Sequence, residues 1–223
     1  THSPLVDSDA LSWRQVSRRA TTVKHLVAIA QRLVGFTNVG EDIIQGDTNG
    51  ILRPGEVNPQ QLSYNGASSL VPLMIDDTAL YVQARGNQVR DLVPANQDGY
   101  SGTERSRTAM HLLDGYEILA WAFQKVPHNV AWMVRSDGLL LSLTYVREEG
   151  VFGWARHDTA GWSTAGTDGM VESVTVVPEG GEDAVYLVVK RLINSATVRY
   201  IERMSNRLAS TPVLMDAAVT VTA

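Results

Sequence analysis

No cysteine occurs in this sequence, which excludes disulfides, thiolate nucleophiles and zinc–thiolate sites together. That absence fits a reducing compartment. No run approaches the ~18 consecutive apolar residues of a membrane span, so no membrane-spanning helix is expected. No signal peptide precedes Thr1, and a start at Thr without Met points to a processed product or a fragment. Basic charge is scarce as well: 19 Lys and Arg against 24 Asp and Glu give a formal net charge of −5, which argues against a dominant attraction for nucleic acid.

Chemistry-bearing motifs are equally thin. His2, His25, His111, His128 and His157 show no metal-ligand spacing, so no metal is expected, and His25 and His111 read as structural. Phosphate-binding glycine motifs are missing, and no cofactor is expected. Gly99-Tyr-Ser-Gly102 brings its second glycine one residue too early for a nucleophile elbow. Asp47-Thr-Asn-Gly50 opens like a calcium loop but lacks the later ligands and the closing Glu. The pairs Asp76-Asp77 and Glu148-Glu149 read as solvated turns instead of an acid/base couple. No catalytic residues are assigned, and the chain does not read as an enzyme.

What is present is β pattern. The stretch from Asn129 to Asp158 holds three short strands: Val130 to Val134, Leu139 to Val146, and one beginning at Val151-Phe-Gly-Trp-Ala155. Arg135-Ser-Asp-Gly138 and Arg147-Glu-Glu-Gly150 separate them. Asp137-Gly138 is the sharpest local signal, expected as a two-residue turn that suits the right-handed twist of flanking strands.

The unit recurs. Phe36, Tyr81, Trp132 and Tyr186 each sit inside an aliphatic strand, with another apolar strand shortly upstream and a turn and strand after. Leu143-Thr-Tyr-Val-Arg-Glu148 matches Val198-Arg-Tyr-Ile-Glu-Arg203. A period of roughly 45–55 residues with three or four strands per unit predicts an all-β chain of propeller-like blades built from antiparallel meanders, with an ordinary β-sandwich as the alternative. If the aromatics are equivalent, all four should be buried. The organisation expected is an N-terminal arm or strand at 1–22, a β-propeller-like domain of about four units at 23–204, and a β-prone tail at 205–223 that supplies a closing strand or an exposed edge.

Between the units, 50–67 and 94–102 read as loops. Thr103 to Leu113 breaks the β pattern and reads as one inserted helix, with Thr103 as its N-cap and Arg105 and Arg107 exposed. It either plugs a gap between blades or meets a neighbouring subunit. Residues 160–170 are rich in Gly and Thr and read as a flexible loop anchored by Trp162.

An ordered series of motifs carries a family resemblance. Gly50-Ile-Leu-Arg-Pro54, Gln61-Leu-Ser-Tyr-Asn-Gly-Ala-Ser68, Pro72-Leu-Met-Ile75, Leu80-Tyr-Val-Gln83, Gly86-Asn-Gln-Val-Arg90, Thr108-Ala-Met-His-Leu112, Pro127, Trp132 to Leu139, Leu143 to Glu148, Gly153 to His157 and Tyr200 to Arg203 resemble the tail nozzle, or tail tubular B-type, proteins of short-tailed bacteriophages and related prophages. The resemblance covers about 23–203. It implies a structural virion protein, assembled in the host cytoplasm into a ring, usually a hexamer, at the distal end of the tail channel. Its partners would be copies of itself and neighbouring tail or adaptor proteins, with phage DNA passing through unbound. Family members are much longer, so this chain looks like a portion of one.

The long loops and helix are then expected at interfaces, with Tyr64, Arg105 and Arg107 as candidate anchors. A channel lumen must repel or ignore phosphates, and Glu179, Glu182 and Asp183 are candidates for that face. The alternative function is a propeller module that binds carbohydrate or protein through loops around Ser101 and Trp162.

Overall fold

The computed structural model describes residues 9–12, 20–30, 32–46, 51–85, 87–95, 99–163, 166 and 168–205. The expectations for most of the N-terminal arm, for 47–50 and for the tail at 206–223 lie outside the described residues. The chain divides into two compact units, 1–108 and 109–223. That boundary falls inside the region read from the sequence as one domain.

In the first unit, β1 (Val23–Ile29), β2 (Arg32–Thr37), β3 (Glu41–Gln45) and β4 (Asn58–Ser63) form one antiparallel sheet in that order. A second meander holds β5 (Leu73–Ile75), β6 (Thr78–Val82), β7 (Val89–Pro94) and β8 (Tyr100–Glu104). The two sheets pack through Ile29, Val34 and Phe36 on one side and Ala79, Tyr81 and Leu92 on the other. The Phe36 and Tyr81 rings meet at 5.1 Å with a tilt of 56°, a geometry in which ring edge and face attract. The Tyr100 hydroxyl donates to the Ile29 carbonyl at 2.8 Å and joins the sheets at another level.

The second unit opens with α1 (Met110–Leu113), a single turn that continues the 3-10 turn Arg107–Ala109. Its first sheet is β9 (Ile118–Gln124), β10 (Val130–Arg135), β11 (Leu140–Val146) and β12 (Val151–His157), paired in sequence order. β13 (Met170–Glu179), β14 (Glu182–Ile193) and β15 (Ala196–Arg203) make the last sheet, of three strands among the described residues. Val130, Trp132 and Val134 pack against Val171, Val174, Val185, Leu187 and Val189. Alternation along β10 and β14 sends these residues to facing sides of the two sheets.

The chain is therefore all-β, four blade-like antiparallel meanders with one short helix. Phe36, Tyr81, Trp132 and Tyr186 all lie on the second strand of their sheets. Phe36, Tyr81 and Trp132 are buried, but Tyr186 is half-buried and faces away from the core. On β14 the core face is Val185, Leu187 and Val189, so the aromatic is one residue out of phase, and a shift of one residue in a strand changes the face.

Four further expectations are corrected. β4 lies inside the stretch read as a loop: Pro59 pairs with Ile44 on an edge strand, where a missing N–H is tolerated. β8 likewise begins inside the second presumed loop. Thr103 does not cap a helix, because it pairs with Asp91 in β8 and leaves only the short turn 107–113 helical.

The hairpin after β10 closes over three residues instead of two. The Arg135 N–H bonds the Leu139 carbonyl, and Gly138 takes φ +79°. Asp137 keeps an ordinary φ because its side chain is held by Arg135, so the two successive positive φ values of a type I′ turn do not arise. That two-residue geometry appears instead at Gly180-Gly181, with φ of 55° and 102°, between Glu179 and Glu182.

Candidate interaction surface and polar centres

Tyr64 leaves the end of β4 and Arg105 leaves the end of β8, so both occupy the segments that carry the chain out of the last strand of a sheet. Tyr64 is 83% exposed, an unusual state for a large ring, and Arg107 is exposed on the 3-10 turn. Arg105 is different. Its Nε donates to Asp91 Oδ2 at 2.6 Å, and the Asp91 carboxylate, fully buried, also accepts the Thr103 N–H at 3.0 Å. Removing Arg105 would strand a buried charge, so this residue, expected to be exposed, has a role within the fold. Among the described residues no hydrogen bond or ion pair joins Tyr64 to Arg107.

The first unit holds a second buried polar centre that sequence reading missed. Glu41 and Phe36 are opposite each other on β3 and β2, so the carboxylate points into the layer between the two sheets. It accepts hydrogen bonds from the hydroxyls of Ser63 and Tyr81, with the Arg90 charge nearby. Burial outweighs these contacts and raises the Glu41 pKa above the usual carboxylate value. Burial and the Glu41 charge also push the Tyr81 phenol up. Glu41 Oε1, Arg90 Nε, Gln83 Oε1 and His25 Nε2 are buried atoms without a protein partner. The available signal was that Glu41 shares the period-2 face of Ile43, where a strand residue turns inward.

Arg135 is the corresponding hub of the second unit, and it too was unmarked in the sequence. It grips Asp137 in a fork, Nε to Oδ1 at 2.8 Å and Nη2 to Oδ2 at 2.6 Å. Nη1 donates to the Leu112 carbonyl at 2.6 Å, and the guanidinium lies 3.8 Å from the centre of the Tyr116 ring. Burial alone would raise the Asp137 pKa, but the Arg135 fork and the Leu139 N–H together bring it below the usual value. This one arginine fixes the short helix, the hairpin and the segment before β9 together. Nearby, Trp132 donates to Gln124 Oε1 at 3.1 Å, and His157 Nε2 shares a 2.8 Å hydrogen bond with the Ser142 hydroxyl.

The carboxylates of the acidic hairpin are engaged from within the chain. Arg203 reaches Glu179 at 3.2 Å and Glu182 at 2.7 Å. The Tyr186 hydroxyl donates to Glu179, and this bond with the Arg203 contact holds the Glu179 pKa down. Asp183 accepts the N–H groups of Lys125 and Val126, both at 2.9 Å, and so pins the β9–β10 turn. Of the residues proposed for a ligand-binding loop face, Ser101 is exposed on β8, while Trp162 is half-buried and donates through Nε1 to the Asp137 carbonyl at 3.2 Å. Trp162 thus anchors its loop.

Chemically, the carboxylates with the most unusual surroundings are occupied in joining strands. Among the described residues no group of three or more His, Asp or Glu side chains could hold a metal, and no helix is long and apolar enough to cross a membrane. Models of known protein families return no match to the sequence, and no curated protein aligns with it significantly.

Proposed function

We propose that this chain is a structural component of a short-tailed phage tail, forming part of the nozzle ring through which DNA is ejected. The ordered motif series that resembles the tail nozzle proteins carries this reading. Its support is that the motifs fall mainly on framework. Leu80 to Gln83 runs out of β6, Trp132 to Leu139 spans β10 and its turn, Leu143 to Glu148 ends β11, and Tyr200 to Arg203 ends β15. A resemblance in strands and tight turns concerns how blades are built, which suits a scaffold protein.

In this reading the four meanders are blades of a propeller, copies of the chain surround the channel as a hexamer, and neighbouring tail or adaptor proteins meet the exposed crossovers. The finished assembly resides in the virion after forming in the host cytoplasm. Tyr64 and Arg107 are the anchors retained, since exposed Tyr and Arg are favoured at interface centres. The acidic hairpin is not assigned to the lumen, because Glu179 and Glu182 are already engaged by Arg203.

The test is a full-length protein carrying Tyr64→Ala with Arg107→Glu. It should keep its thermal transition and fail to enter tails, and normal incorporation would remove this surface from the assembly. The parent protein should also leave duplex DNA unbound at physiological salt. Tight binding, weakened steeply by added salt, would count against a passive channel.

A further inference from the structure

The layer between the first two sheets holds polar side chains on both sides of Phe36. His25, Phe36, Glu41 and Ser63 stand opposite one another along β1 to β4, and opposed residues of antiparallel strands share a face. The second sheet answers with Tyr81, Arg90 and Glu104, opposed on β6, β7 and β8. Glu41 is 0% exposed, whereas His25, Arg90 and Glu104 are half-buried. An ionised carboxylate has places for about four donors. Glu41 has the hydroxyls of Ser63 and Tyr81, and its Oε1 has no partner. Arg90 contributes its charge from nearby, but its Nε is also buried without a partner.

We propose that Glu41 is a proton-controlled clasp between the two sheets of the first unit: the neutral carboxyl lets them close, and its ionisation loosens their contact. The geometry gives the direction. A charged carboxylate with an unpartnered oxygen is costly in a layer closed to water, whereas the neutral carboxyl carries no charge to solvate. Glu41 lies on β3, and Tyr81 and Arg90 lie on β6 and β7, so the facing sheet helps to bury it and parting the sheets admits water to Oε1. The direction in which burial shifts Glu41 agrees in sign. Four other titratable groups face the same layer. Tyr81, pushed up by burial, stays neutral, and Arg90 carries a fixed charge. His25 stands two strands from Glu41, and Glu104, opposite Arg90, accepts the Ser106 hydroxyl at 3.5 Å. His25 and Glu104 are therefore the groups that the test must separate from Glu41. The inference is independent of the tail reading, because it concerns one unit of a single chain.

Because the chain has no cysteine, Ala79→Cys places a single thiol in the closed layer, at a site that is 0% exposed. Its rate of reaction with a thiol reagent, divided by the rate for the same chain unfolded in urea at the same pH, reads how often the sheets part. That ratio should rise as pH goes up from 4.5, the ordinary value for Glu41, by at most about tenfold per pH unit because one proton is involved, and then level off. Combined with Glu41→Gln, the same thiol should react at a low ratio that does not change with pH. Ala184→Cys, a buried site in the second unit, should show no rise. Amide hydrogen exchange of the parent chain at Phe36 and Tyr81, corrected for its intrinsic pH dependence, gives the same reading without a substitution in the core. A flat ratio in the parent, an undiminished rise with Glu41→Gln, an equal rise at Ala184→Cys, or a rise abolished by His25→Gln or Glu104→Gln overturns the proposal.

Discussion

Glu41 is the residue whose surroundings dictate the clearest chemistry. Its folded pKa is raised by burial, so the fold favours the protonated form. The sign follows from linkage: this group's contribution to stability is fully present below the unfolded value and is lost as pH rises through the folded one. Glu41→Gln imitates the protonated state. It should therefore raise the urea midpoint at pH 7, and the difference from the parent should shrink as pH is lowered toward 4.5. A lower midpoint for the variant at pH 7 would mean that the contacts with Ser63, Tyr81 and Arg90 outweigh desolvation. Trp132 makes the opposite case. It is fully buried, with its one polar atom bonded to Gln124, and Trp132→Ala should cost roughly 3–5 kcal/mol in denaturant unfolding. A loss below ~1 kcal/mol would show that the site is not core.

Elements were legible in proportion to how much apolar surface they bury. β2, β6, β10 and β14 announce themselves through aliphatic runs around an aromatic, and the hairpins between inner strands follow from turn residues. β4 and β8 were missed because Asn58-Pro-Gln-Gln61 and Tyr100-Ser-Gly-Thr103 are polar outer strands, whose place is set by backbone pairing with β3 and β7. The inserted helix is present but shorter than read for a related reason: its first residues, Thr103 and Glu104, belong to the end of the polar strand β8. Of the candidate site, Tyr64 and Arg107 are exposed as the sequence reading required, whereas the role of Arg105 depends on Asp91, 14 residues upstream and visible only in three dimensions.

The Asp137-Gly138 turn was found, but its geometry depends on Arg135. Gly138→Ala tests that geometry. A Cβ there would lie 2.6 Å from the Met170 Cβ, and φ is +79°, so the substitution should cost roughly 1–3 kcal/mol in thermal or denaturant unfolding. An unchanged midpoint would mean that the turn relaxes freely.

At the scale of the molecule, four meander sheets form the framework. Its two polar hubs act within the fold: Glu41 and its partners lie in the layer between the first two sheets, and Arg135 ties a hairpin to the short helix. Among the described residues, Tyr64 and Arg107 are exposed where the chain leaves the last strand of a sheet. Exposed Tyr and Arg side chains are of the kind favoured at interfaces between proteins. The most direct measurement is negative-stain electron microscopy of the purified full-length protein, with its mass measured in parallel. The tail-nozzle reading predicts closed rings of one discrete mass around a central channel. Isolated monomers that bind a glycan array would contradict it and favour the binding-module alternative.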